Sequence, residues 1–360
     1  MGSRELAAPA PAGNGSTRGD QTTLGTSLRI LHAPLNIGGM AGTLAAAQRR
    51  LGHHAVSYSV ARHDFGFAED LVEPRPNSRS GLTKLVRRFA DSFDVFHFYF
   101  GESISGTSLA DVPMLAKMKK KIFFWFCGCE VRDEKTSLLA YEYSACLDCF
   151  PKLCLNRERS TAVALAYATA LFVATPDLLE FVPGSILLPQ VVDFDLVESV
   201  RIPRVTHDWS RPFRIVHAPS DRAIKGTRYI EAAVEALRHD GIEVELELLE
   251  RLNHAEVLRR AQTADLAIDQ VLAGSYGIFA AEMMALGIPV VAYIRSDLKS
   301  CYPAPPPVLN ANPANLVDVL RAAMLEPDQR AKLARDGFDY ARQVHHPDVI
   351  AKRTLAYYRG

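Results

Sequence analysis

Two stretches of this chain open in the same way. LRILHAPL, from Leu28 to Leu35, and FRIVHAPS, from Phe213 to Ser220, are each a short apolar run that stops at a turn signal. After the first, NIGGMAG turns the chain, TLAAAQRRLG reads as a helix closed by Gly52, and HHAVSYSV reads as the next strand. After the second, SDRAIKGTRYIEAAVEAL supplies a turn and a helix, and IEVELELLE, from Ile242 to Glu250, supplies the next strand. A strand, a crossover helix and a second strand form the unit from which parallel sheets are built. Further apolar runs follow in both halves: DVFHFYF, KIFFWFC and LFVAT in the first, LAIDQ and PVVAYI in the second. The pattern predicts two doubly wound, Rossmann-like α/β domains in tandem.

The length of 360 residues suits two domains, and 48% hydrophobic with 23% charged residues supplies material for two cores. Lys plus Arg equals Asp plus Glu, 41 of each, so net charge argues against wholesale binding to nucleic acid or to membranes. No run approaches the roughly 20 apolar residues of a membrane span. The basic runs KLVRR and KMKKK read as solvated helix ends, with peripheral contact to anionic lipid as the alternative. Residues 1–26, rich in Ala, Pro, Gly and Ser, read as a disordered tail without a secretory signal, and the expected location is cytoplasmic. The predicted organisation is a first domain over 27–200, a linker at 201–212 (RIPRVTHDWSRP), a second domain over 213–342, and a C-terminal helix at 343–360 packing back on the first domain.

Ligands of doubly wound sheets bind beyond the carboxyl ends of the strands. Two such domains facing each other put Gly38 and Gly39 on one wall of a cleft and Arg222 and Lys225 on the other. A lone pair of loop cations is ordinarily a solvated feature, but here a cleft gives the two charges an anionic target.

GSYGIFAAEMMALGIPVVAY, from Gly274 to Tyr293, holds a glycine turn, a short helix carrying Glu282, a stop at Gly287 and a buried strand. With GGMAGTLAAAQRRLGHHAV before it and HAPSDRAIKGT opening the second half, almost everything after residue 27 resembles the retaining nucleotide-sugar glycosyltransferases of the GT-B fold, the group called family four. The resemblance implies that Ser275 and the amides of Tyr276, Gly277 and Ile278, at a helix N-terminus, receive the donor diphosphate. It implies that Glu282 accepts the ribose hydroxyls and that His254, at the end of the preceding strand, neighbours the base. Arg222 and Lys225 would stabilise the departing diphosphate electrostatically, in the place of a metal ion. The partners implied are a nucleoside-diphosphate sugar and a hydroxyl acceptor, with no catalytic cofactor. An epimerase or hydrolase on the same scaffold and a non-catalytic sugar-nucleotide-binding subunit are the alternatives.

The chain departs from that group in two places. Eight positions before Glu282 stands Gly274 where the group has a glutamate that touches the donor sugar, and Asp269 is the candidate to supply a carboxylate there. In FFWFCGCEVRDE, Cys127 and Glu130 replace the histidine and aspartate of a His-Gly-x-Asp turn, while Gly128 and Arg132 are kept. Arg132 and His97, in DVFHFYFG, are the acceptor-side candidates. Six cysteines in a chain of this size do not argue for disulfides. Cys129, Cys146, Cys149 and Cys154 are candidates for a structural four-thiolate zinc site, with reduced buried cysteines as the alternative reading.

Overall fold

The computed structural model of the protein describes residues 26–149, 153–202 and 211–360. Residues 1–25 of the expected tail and 203–210 of the expected linker lie outside the described residues. The first half builds seven strands: β1 (Arg29–Ala33), β2 (His54–Ser59), β3 (Leu71–Val72), β4 (Val95–Tyr99), β5 (Lys121–Phe126), β6 (Ala170–Val173) and β7 (Ile186–Leu187). The second builds five: β8 (Phe213–His217), β9 (Val244–Leu248), β10 (Leu266–Ile268), β11 (Val290–Ala292) and β12 (Leu309–Asn310). Neighbouring strands are parallel throughout, in the orders β3-β2-β1-β4-β5-β6-β7 and β12-β11-β10-β8-β9. In each sheet the winding reverses next to the first strand of its half, β1 or β8, so the loops after these strands open at a topological switch point.

Both faces of a doubly wound sheet are covered, which is why β4 and β5 are near-continuous runs of buried apolar and aromatic residues. The helix Thr227–His239 buries Ile230, Ala233, Val234 and Leu237, spaced as one face of an α-helix, against the second sheet. The short helical turn ahead of it, Arg222–Lys225, starts where the Asp221 side chain accepts the Ile224 amide at 2.9 Å. It ends at Gly226 in the left-handed region (φ 77°), a conformation that costs glycine little. That geometry fixes Lys225 beyond the carboxyl end of β8.

The helix Pro347–Arg359 lies on the first half of the chain. Tyr358 is buried beside Phe123, Lys121 Nζ donates to the Tyr358 carbonyl at 2.8 Å, and Gln48 Nε2 donates to Thr354 Oγ1 at 3.0 Å. Further contacts tie the halves together. His254 N donates to the Phe65 carbonyl at 2.8 Å, His345 Nδ1 bonds the Gln190 carbonyl at 2.7 Å, and Arg295 pairs with Glu180 at 2.9 Å. Among the described residues no helix is long and apolar enough to cross a membrane.

Candidate active site

A cavity of about 350 Å³ lies between the carboxyl ends of the two sheets and is lined from both sides, a size suited to a small-molecule ligand. The first half contributes the loops after β1, β2, β4, β5, β6 and β7; the second contributes those after β8, β9 and β10 and the start of the helix Ile278–Ala285. Gly38 lines it with φ 58°, and a Cβ there would stand 3.5 Å from Ile278 Cγ2, so the glycine loop closes against that helix start. Gly39 (φ 75°) precedes the helix Met40–Arg50 and packs on Phe67 instead.

Of the two expected cations, only Lys225 lines the cavity. Its Nζ donates to Asp269 Oδ1 at 2.6 Å, while Asp269 Oδ2 accepts the Gly277 amide at 2.5 Å. Asp269 is therefore not a free carboxylate reaching for sugar hydroxyls. It is 1% exposed, lies under Lys225, and caps the helix N-terminus by taking the Gly277 amide, one of the amides expected to receive the diphosphate. A side chain at Gly277 would put Cβ 3.0 Å from Lys225 Nζ, so the glycine makes the approach of the ammonium to the helix start feasible. An ammonium carries three donors and Asp269 takes one, leaving two for a ligand.

Arg222 departs from expectation. Its guanidinium pairs with Glu250 at 2.6 Å and Glu231 at 3.2 Å, half exposed, and does not line the cavity. Two carboxylates on neighbouring elements draw it to the outside of the turn.

At the other end of the cavity Glu282 pairs with His254, Nε2 to Oε1 at 2.6 Å, both largely buried. Burial works against a charge on His254, but the Glu282 carboxylate outweighs it, and the imidazole pKa is raised above its ordinary value. The two residues expected on ribose and base thus meet each other directly.

The side chains of Ser275 and Tyr276 turn away from the cavity. Ser275 Oγ donates to Asp177 of the first half, and the Tyr276 ring is buried in the core with its hydroxyl bonded to His345 at 2.9 Å and Tyr340 at 3.2 Å. Ile278 lines the cavity. Gly274 has φ 78°, and a Cβ there would stand 2.8 Å from Arg295 Cδ, so the arginine stem fills the space a glutamate side chain would need.

On the first-half wall Arg132 lines the cavity, held by Asp177 through Nε at 2.9 Å and Nη2 at 2.6 Å. Asp177 therefore links Arg132 to Ser275 across the domains, a role that a lone aspartate in ATPDLL does not reveal in sequence. His97 is not at the cleft. It is fully buried in β4, stacked on Tyr99 with centroids 5.0 Å apart and bonded to the Tyr358 hydroxyl, and burial holds its pKa well below the histidine range. Glu130 folds back under its own turn, accepting the Cys127 amide at 2.5 Å, and burial pushes its carboxyl up to about 7.

The four zinc candidates gather near one another. Burial first, then the neighbouring Cys146, Cys129 and Cys154, push the Cys149 thiol up to about 11. Cys129 Sγ accepts from Arg132 Nη1 at 3.4 Å. Among the described residues no group of three or more His, Cys, Asp or Glu side chains is arranged to hold a metal ion. The expected four-thiolate geometry is therefore absent from these residues; the Cys129 thiol is turned instead to the Arg132 guanidinium.

His63, Phe65 and Phe67, which no sequence motif marks, also line the cavity. Their signal in sequence is the alternation HDFGF in the segment that follows β2.

No protein-family model matches the sequence, and no curated protein matches it. Solved structures do match. Sucrose-phosphate synthase from Thermosynechococcus elongatus aligns over 93% of this chain and 98% of its own, with 14% identity and a TM-score of 0.60. Anabaena HepE in complex with UDP and glucose aligns over 91% and 98%, with 12% identity and a TM-score of 0.62. A UDP-N-acetylglucosamine 2-epimerase aligns over 91% and 94%, with 14% identity and a TM-score of 0.51. Two parallel α/β domains facing one cleft, matched over nearly the full length of these structures, give this chain the GT-B fold.

Proposed function

We propose that the protein is a retaining, metal-independent glycosyltransferase that moves a sugar from a nucleoside diphosphate to a hydroxyl acceptor. The observation that carries this reading is the convergence of the Lys225 ammonium, the start of the helix Ile278–Ala285 and the Gly38 backbone on one cavity between the two domains. The HepE structure, which holds UDP and glucose, supports the choice of a nucleotide donor.

In the proposed reaction the bond between the anomeric carbon and the diphosphate oxygen breaks, and its electron pair leaves with the diphosphate. Lys225 stabilises that growing negative charge, and Asp269 orients the ammonium from behind; a fixed cation at such a position typically contributes about 10²-fold or more. The acceptor oxygen bonds to the anomeric carbon on the face the diphosphate leaves, and its proton passes to the departing phosphate oxygen. Glu282 takes the ribose hydroxyls once His254 yields it. No catalytic cofactor enters the reading. Zinc on Cys129, Cys146, Cys149 and Cys154 stands outside it, since the thiols would first have to rearrange.

The test is turnover of UDP-, ADP- and GDP-sugars with and without a panel of hydroxyl acceptors, reading product anomer and released nucleotide, in the presence and absence of a chelator. Acceptor-dependent release with a retained anomeric configuration, unaffected by chelator, is expected. Release without any acceptor, or an epimerised donor, would replace the transferase reading by a hydrolase or an epimerase.

A further inference from the structure

The segment between β2 and β3, residues 60–70, has no regular secondary structure, yet it alternates. His63, Phe65 and Phe67 are half-buried, while Asp64, Gly66 and Ala68 are exposed. The three inward rings pack on one another, with centroids 4.8 Å apart for His63 and Phe67, 5.0 Å for His63 and Phe65, and 6.0 Å for the two phenylalanines. All three line the cavity.

The strap is held at its C-terminal end and at its middle. Asn36 Nδ2 donates to the Ala68 carbonyl at 3.0 Å, and Asp70 accepts from the Ser57 amide and from Arg49, each at 2.8 Å. At its middle the strap reaches the second domain: the Phe65 carbonyl accepts the His254 amide at 2.8 Å, and the Phe67 ring lies 5.1 Å from the His254 ring.

Its position identifies what it faces. The strap follows β2, on the β3 side of β1, whereas Phe100, Cys127 and Thr175 follow β4, β5 and β6 on the opposite side. In the second domain it meets the loop after the edge strand β9, where Arg251 lines the cavity with φ 56° and His254 holds Glu282. A non-glycine residue held in the left-handed region is a strained arrangement that collects at ligand sites. If Glu282 takes the ribose, the base attached to that ribose lies beyond it, between Arg251 and the three rings.

We propose that the strap carrying His63, Phe65 and Phe67 is the first domain's wall of the nucleobase subsite, so that the base is stacked on Phe67 and nucleotide binding draws on both domains. This rests on the glycosyltransferase reading for the identity of the ligand. Stacking suits every base and carries little sequence preference of its own. The choice of base therefore falls to the Arg251–Leu252 backbone edge opposite, and the strap supplies affinity.

Calorimetric titration of the full chain with UDP, ADP, GDP and inorganic pyrophosphate tests this. Wild-type protein should bind at least one nucleoside diphosphate more tightly than pyrophosphate. Phe67→Ala should weaken that nucleotide about tenfold or more, the effect of losing one base–aromatic stack, and change pyrophosphate affinity by less than about twofold. Phe67→Leu, which keeps an apolar side chain against Gly39, should show the same selective loss and guards against a collapsed loop. Equal losses for nucleotide and pyrophosphate, or no loss for either, would overturn the strap while leaving the donor class intact. Wild-type protein that prefers none of the three nucleotides to pyrophosphate would overturn both readings.

Discussion

Lys225 Nζ lies 2.6 Å from Asp269 Oδ1, and the second oxygen of the same carboxylate accepts the Gly277 amide at 2.5 Å. One buried carboxylate therefore aims the cation and caps the helix at the point where a diphosphate would arrive. Breaking a buried pair by removing one member strands the other charge, at a cost of about 3–5 kcal/mol. Lys225→Met should lose stability on that scale and turnover by about 10²-fold. Adding Asp269→Asn should recover most of the stability, because the stranded charge is gone and an amide oxygen can still cap Gly277, but none of the turnover. Denaturant melts and steady-state rates on the two variants separate the effects, and recovery of turnover along with stability would reduce Lys225 to a structural role. Arg222→Ala, which removes only solvent-screened pairs, should cost less than about 1 kcal/mol and leave turnover near that of the wild type.

The contrast between these two cations marks how far the sequence could be read. Alternating apolar runs and glycine turns announce parallel sheets, because burial on both faces and tight strand-to-helix turns are local demands. The Glu282 helix is pointed to by the family-four resemblance and Lys225 by the cleft its turn faces, and both side chains line the cavity. Arg222 was misplaced because its direction depends on Glu231 and Glu250, which lie on other elements and compete for it. His97 looks like a strand-end histidine in DVFHFYFG, yet the helix Pro347–Arg359 covers it with Tyr358, a contact across most of the chain. The aromatic strap lay in a segment without periodic structure, where only the HDFGF alternation hinted at an inward face.

Gly274 departs from the family-four pattern for a physical reason that can be tested. Its φ of 78° is unfavourable for any side chain, and Arg295, whose guanidinium packs over Tyr141 at 3.7 Å and pairs with Glu180, runs its stem through the space a Cβ would need. Gly274→Ala should destabilise by on the order of 1–2 kcal/mol from backbone strain alone, with the crowding of Arg295 adding to it. Gly274→Glu should destabilise further and gain no donor use. Unchanged denaturation midpoints for both would mean that the loop and Arg295 relax freely and that the glycine is not required by this packing.

His254 makes nucleotide binding pH-dependent in a definite direction. In the free protein burial disfavours its charge, Glu282 more than compensates, and Asp193 adds to the same side, so the imidazolium persists above the ordinary histidine value of about 6.5. The pair's contribution to stability is full below that value and is lost as pH rises through the raised one. A ribose that claims Glu282 leaves His254 without its counter-charge; the imidazole pKa falls and a proton is released on binding. Affinity should therefore rise with pH in the window just above 6.5, by up to about tenfold per unit for a one-proton linkage. Titration calorimetry in two buffers of different ionisation enthalpy reads the proton directly. His254→Gln should abolish the histidine's share of the slope and leave only that of the ligand's own phosphate. Identical slopes and proton counts for wild type and His254→Gln would mean that the ribose does not displace His254 from Glu282.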